Sequence, residues 1–166
     1  VVNDLWKYDP VSNMWTWMNG PQGNTNPAGN FGVQGIPSTL NYPQALGYGA
    51  LNWVDESGDL WLFGGLNFTG QMDGLWRYHI PTNEWTWMKG TIGNTAMVPG
   101  IQGQFDPLNT PGAISECKSA WVLNNQLWFF GGQNALGEQL GALWCYDIAT
   151  NNWCWKSGLT VPYYIG

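Results

Sequence analysis

The 166 residues suit one domain and carry a net charge of -6, with 10% charged side chains and five Lys plus Arg. So few cations exclude the basic footprint of a nucleic-acid binder, and 16% aromatics without an acidic run exclude a disordered acidic tail. No apolar run approaches the roughly 18 residues of a membrane-spanning helix, and the glycines follow no collagen period.

The chain opens on Val1-Val-Asn-Asp-Leu-Trp6, which reads as the inside of a folded unit and not as a leader. Residues 1–18 predict a hairpin, and 19–46 a long connection. Strands follow at 47–54 and 59–63, joined by the turn Asp55-Glu-Ser-Gly58 and ended by Gly64-Gly65. Two more are expected at 74–79 and 84–88, then a connection over 89–116. The set recurs at 117–123, 126–130, 142–147 and 152–156, and 157–166 begins another connection. The strands are short and rich in Trp, Tyr, Phe, Val and Leu, and the turns carry Gly, Asn, Asp, Ser and Pro. No long segment sustains a helical apolar period, so an all-β fold is expected.

The elements repeat. Asp4-Leu-Trp-Lys-Tyr8, Gly74-Leu-Trp-Arg-Tyr78 and Ala142-Leu-Trp-Cys-Tyr146 align, each followed by a Trp-x-Trp strand. Leu60-Trp-Leu-Phe-Gly-Gly65 matches Leu127-Trp-Phe-Phe-Gly-Gly132, and Gly49-Ala-Leu-Asn-Trp-Val54 roughly matches Lys118-Ser-Ala-Trp-Val122. The connections are related too: Gly23-Asn-Thr25 and Gly32-Val-Gln-Gly35 resemble Gly93-Asn-Thr95 and Gly100-Ile-Gln-Gly103. Within a strand, Trp6 and Tyr8 point one way and Leu5 the other; Trp15 and Trp17 oppose Met14 and Met18. Sheets with two apolar faces need a neighbour on each side. Radial stacking of four-stranded sheets, as in a β-propeller, provides it.

A double glycine, then a Tyr and a Trp seven residues apart around a turn, resembles the kelch-repeat β-propeller family. The residues are Gly64-Gly65 with Tyr78 and Trp85, Gly131-Gly132 with Tyr146 and Trp153, and Tyr8 with Trp15 in a partial first unit. The resemblance implies about two and a half four-stranded antiparallel blades: a half blade at 1–18, a second at 47–88 and a third at 117–156. The period departs from the family: kelch units run to about 50 residues, and these are longer by the connections 19–46 and 89–116. Those loops are expected to emerge together on one side. A propeller closes with roughly four to eight blades, so the segment is expected to belong to a larger protein. The alternative is self-association through the open blade faces.

The register that pairs Tyr146 with Trp153 sets Cys145 opposite Cys154, which predicts a disulfide; the alternative is two buried free thiols. Cys117 is expected to be a free thiol or to bond outside the segment. Asn67-Phe68-Thr69 is a glycosylation acceptor pattern. Disulfide, sequon and scarcity of Lys agree on an extracellular or cell-surface setting. His79 and the acids Asp55, Glu56 and Asp59 read as turn residues rather than as a catalytic or metal site. Recurrence of Trp6, Trp15 and Trp17 in every unit predicts core packing, which leaves Phe31, Tyr42 and Phe105 as candidate ligand contacts.

No catalytic residue, metal or cofactor is expected. The function this suggests is a non-catalytic extracellular scaffold whose long loops bind a protein or a glycan, with assembly into a larger array through the blade faces. The second reading is an accessory binding propeller of a larger secreted enzyme. A third, by resemblance to kelch-like copper oxidases, lacks ligands, since the segment holds one His.

Overall fold

The computed structural model describes residues 1–23, 25, 28–117 and 119–161. Asn24 of the first Gly-Asn-Thr match, Lys118 of the expected strand 117–123, and residues 162–166 of the last connection lie outside the described residues. The described chain is all-β, without helix.

β1 (Leu5–Asp9) and β2 (Met14–Asn19) form the first hairpin. β3 (Tyr48–Val54), β4 (Leu60–Asn67), β5 (Gly70–Gln71), β6 (Leu75–His79) and β7 (Glu84–Lys89) build one sheet, ordered β3-β4-β6-β7 with β5 beside β4. β8 (Ile114–Ser115) pairs with β11 (Gln133–Asn134). β9 (Ser119–Leu123), β10 (Gln126–Phe130), β12 (Gly141–Asp147) and β13 (Asn152–Leu159) form the last sheet, ordered β9-β10-β12-β13. Neighbours are antiparallel throughout, so each large sheet is a meander laid down in chain order.

The three Tyr–Trp hairpins share their local causes. Asn13, Asn83 and Asn151 each adopt a left-handed conformation, with φ of 57°, 57° and 56°. Asn tolerates that region better than most residues. Each accepts a hydrogen bond from the Tyr that opens its turn: Tyr8, Tyr78 and Tyr146 donate at 2.7, 2.7 and 2.6 Å. The turn and the strand before it are thus locked by one side-chain pair. Register slips recur at Leu5/Trp6, Leu75/Trp76 and Leu143/Trp144.

The two large sheets pack face to face over one core. Trp61 and Phe63 of β4 meet Tyr146, Trp153 and Phe129 of the last sheet, with ring centroids 5.6, 5.0 and 5.8 Å apart. Leu51, Trp53, Leu75, Leu127 and Trp144 complete the cluster. A smaller cluster on the opposite face of the β3-β4-β6-β7 sheet joins Trp76, Tyr78 and Trp85 to Phe31, with Leu5 and Tyr42 packed against it.

The long connections are straps, each fastened along the outer strand of the hairpin that follows it. Gly35 N–H donates to Trp87 O at 2.8 Å, and Ser38 bridges Trp85; 68 residues later Gly103 N–H donates to Trp155 O at 2.8 Å, and Asp106 bridges Trp153. Buried Asn41 donates to Ile36 O and Trp85 O at 3.0 and 3.1 Å. Buried Asn109 repeats this with Gln104 O and Trp153 O, both at 3.0 Å. Gly32 and Gly100, both at φ +62°, leave room for these amides: a Cβ there would stand 2.3 and 2.1 Å from the Asn41 and Asn109 Oδ1 atoms. These connections are therefore built structure with repeated chemistry, not loose arms.

Candidate functional site

Three surfaces hold residues with the means to bind or react: a charged cluster at the turn before β4 and on β6, the outer sides of the straps, and the two sheet faces that no described segment covers.

In the first, the Asp59 carboxylate is buried and takes His79 Nδ1 at 2.7 Å and Arg77 Nε at 2.5 Å. The last sheet places Gln126, Cys145 and Asp147 at the same three positions. Gln126 Nε2 donates to Asp147 Oδ2 at 3.1 Å, and Cys145 Sγ donates to Gln126 Oε1 at 3.5 Å. One contact pattern made from different chemistry in two units acts as a strut between strands. Asp55, the first acid of the adjoining turn, is also committed. Its Oδ1 accepts the Ser57 and Asp59 N–H groups at 2.9 and 3.0 Å, and its Oδ2 accepts Trp61 Nε1 at 2.8 Å. Glu56 Oε1 accepts Asn125 N–H at 2.9 Å and ties the two sheets' turns together. Among the described residues no group of three His, Cys, Asp or Glu is placed to hold a metal.

The disulfide expected between Cys145 and Cys154 is not formed: both are buried free thiols. They are register partners, as expected, but opposite Cβ atoms on paired strands stand about 4.5–5.5 Å apart, beyond the ~3.8 Å of a disulfide. Each S–H turns elsewhere, Cys145 to Gln126 Oε1 and Cys154 to Trp155 O at 3.5 Å. Burial pushes the Cys145 thiol up to about 12. Cys117 is a free thiol that donates to Gly131 O at 3.3 Å, and burial lifts it to about 12 as well.

The aromatics singled out as ligand contacts have separate fates. Phe31 is buried between Trp76 and Trp87, with centroids 4.9 and 5.2 Å away, and Tyr42 packs on the same cluster. Phe105 is half-buried with the Lys156 Nζ 4.5 Å above its ring. Asn67 is half-buried at the β4–β5 turn, where its Oδ1 accepts Thr69 N–H and Thr69 Oγ1–H, both at 2.7 Å. What the straps leave open is aliphatic. Val33 and Leu40 are exposed on the first, and their counterparts 68 residues on, Ile101 and Leu108, are exposed on the second.

No protein-family model and no curated protein matches the chain. Its own repeats therefore supply the comparison.

They show a face that sequence reasoning had assigned to the core. Trp76, Tyr78 and Trp85 are buried, as are Trp144, Tyr146 and Trp153, but the same positions in the first hairpin are open: Trp6 is 45%, Tyr8 43% and Trp15 64% exposed. No described segment covers that side of β1 and β2. At the other end Trp53, Trp61 and Phe63 are buried by the last sheet. Their counterparts Trp121 and Phe130 are 40% and 48% exposed, and Trp128 is half-buried. Trp121 and Trp128 stack at 6.1 Å with ring planes 12° apart. Recurrence of a Trp identifies the surface it belongs to; burial also needs the neighbour.

Proposed function

We propose that the chain is a kelch-type propeller segment serving as a non-catalytic scaffold, and that its straps present paired aliphatic side chains to a protein partner. The observation that carries this is the repetition of Val33 and Leu40 as Ile101 and Leu108. They are exposed on backbone held in place by the same hydrogen bonds to the next hairpin. Exposed aliphatics on a preorganised ledge suit a protein surface, since little ordering entropy is lost on binding. A glycan would favour open aromatic rings on the straps, and Phe31, Tyr42 and Phe105 are packed or covered. An extracellular or cell-surface setting is part of the proposal, supported by the Asn67-Phe68-Thr69 pattern and the scarcity of basic residues.

The test is site-specific photo-crosslinking in the cells that make the protein. A crosslinker at position 40 or 108 is expected to trap one discrete protein adduct. A crosslinker at Val11, which is more exposed than either, is expected to trap none. No adduct at 40 and 108, or the same adduct at all three positions, refutes the reading.

A further inference from the structure

We propose that the two sheet faces left uncovered among the described residues are the two halves of one interface, and that a second copy of the chain occupies each. The β1–β2 hairpin of one copy docks on the β9–β10 face of another. The inference rests on reading the units as members of one stacked array.

The junction between the two large sheets is the template. There Trp61 meets Tyr146, and Phe63 meets Trp153. In the last unit Trp61 and Phe63 become Trp128 and Phe130, which no described sheet covers. In the first unit Tyr146 and Trp153 become Tyr8 and Trp15, which face solvent. Setting the hairpin of a second copy on the last sheet, as the last sheet sits on the one before it, brings Tyr8 to Trp128 and Trp15 to Phe130. Each end thus carries the surface that its own fold packs against the other.

Charge changes in step with this. At the template junction Ala142 is buried in the cluster and Met88, half-buried, packs against it. At the bare ends their counterparts are Lys156 and Asp4. The C-terminal face has gained a cation, whose Nζ lies 5.6 Å from the Trp128 ring centroid. The N-terminal face has gained a carboxylate, which accepts Trp6 Nε1 at 2.5 Å. Opposite signs favour head-to-tail contact and disfavour pairing of like ends.

The hairpin brings two strands where the template junction has a full sheet, so the contact is smaller and association depends on concentration. Such a contact is heterologous: it closes into a ring or continues as a filament. Two copies bring four full sheets and two hairpins, within the roughly four to eight that rings of stacked sheets hold, so a closed dimer is the expected species.

Light scattering on the intact chain is expected to show its mass rising with concentration toward twice 18.5 kDa. Trp15→Asp and Phe130→Asp each alter an exposed side chain. Each alone is expected to weaken association about 100-fold, as for a central interface aromatic, with an unchanged melting temperature at a dilution where wild type and variant are both monomers. For polarity, Trp15→Cys is mixed with Phe130→Cys under mild oxidation. Cross-linked dimer is expected from the mixture and not from either variant alone. A mass of 18.5 kDa at every concentration, association that survives both Asp substitutions, or self-cross-linking of Trp15→Cys overturns the proposal. A monomer that still gives the position 40 and 108 adducts overturns this inference alone and leaves the scaffold reading standing.

Discussion

Replacing Asn109 by Ala tests whether the straps hold the sheets together or merely lie on them. The side chain is buried, and its Nδ2 donates to Gln104 O within the strap and to Trp153 O on β13, both at 3.0 Å. After Asn109→Ala the Trp153 carbonyl keeps the Asp106 N–H at 3.3 Å, and the Gln104 carbonyl loses its amide donor. Two bonds at about 1 kcal/mol each, with some lost packing, give a destabilisation of about 2–3 kcal/mol. In a chain of this size that lowers the melting temperature by roughly 4–12 °C. Gln102→Ala, which removes an exposed strap bond to Lys156 O, is the control and should cost about 1 kcal/mol or less. A double-mutant cycle sharpens the test. Gly100→Ala puts a Cβ against Asn109 Oδ1 and forces a non-glycine residue to φ +62°, for about 3 kcal/mol. In the Asn109→Ala background the clash is gone, and only the backbone strain of about 1 kcal/mol remains. Thermal or urea unfolding reads all four proteins. A cost below about 0.5 kcal/mol for Asn109→Ala, or a strictly additive cycle, defeats the account of the straps.

Asp55→Ala should destabilise by about 3 kcal/mol, because two turn N–H groups and the buried Trp61 indole lose their acceptor; denaturant unfolding with near-ultraviolet circular dichroism measures it. Asp59→Asn removes the charge that holds Arg77 and His79. Since both partners are partly exposed, the expected loss is about 2 kcal/mol, read by chemical denaturation with Gln126→Ala as the matching change in the last unit. The thiols at Cys117 and Cys145 stay protonated in the fold up to about 12, whereas in the unfolded chain they ionise near 9. Their contribution is therefore fully present below about pH 9 and is lost as pH rises from there toward 12, which a pH series of urea melts would show. The same burial predicts no reaction of Cys145 and Cys154 with an aromatic disulfide reagent at pH 8 until the chain is unfolded; rapid labelling of the native protein would contradict it.

Repetition made the strands legible. Each hairpin and its Tyr–Trp register follows from three aligned copies, and most strand ends fall within a few residues of expectation because Gly and Asn turns punctuate them; β4 is the exception, running through Gly64-Gly65 to Asn67, where β3 and β5 pair with it. The Tyr–Asn lock is written just as plainly in Asn13, Asn83 and Asn151, but a turn Asn signals only the turn and leaves its Tyr partner five residues back unmarked. The strap contacts were harder to see. Asn41 and Asn109 recur, but their acceptors are backbone carbonyls of Trp85 and Trp153, which leave no mark in the sequence. Phe31 misled for a related reason: a loop aromatic is read as exposed, and only the strap's path brings it over Trp76. The cysteine pair shows that register alone does not make a bond. Two positions can face each other and still send their side chains to different acceptors. The exposed face of Trp6, Tyr8 and Trp15 was misassigned to the core because every copy of a motif looks equally interior until the stack is counted from its ends.

The straps also have a bearing on colloidal behaviour. By lying along β7 and β13 they occupy the outer backbone edge of each large sheet, where a stray extended chain would otherwise add itself. The β1–β2 hairpin has no such guard on either rim among the described residues. When this protein is concentrated or heated, unwanted strand addition should begin at those margins, and a proline or lysine grafted onto the rims of β1 and β2 would be the economical way to keep it in solution.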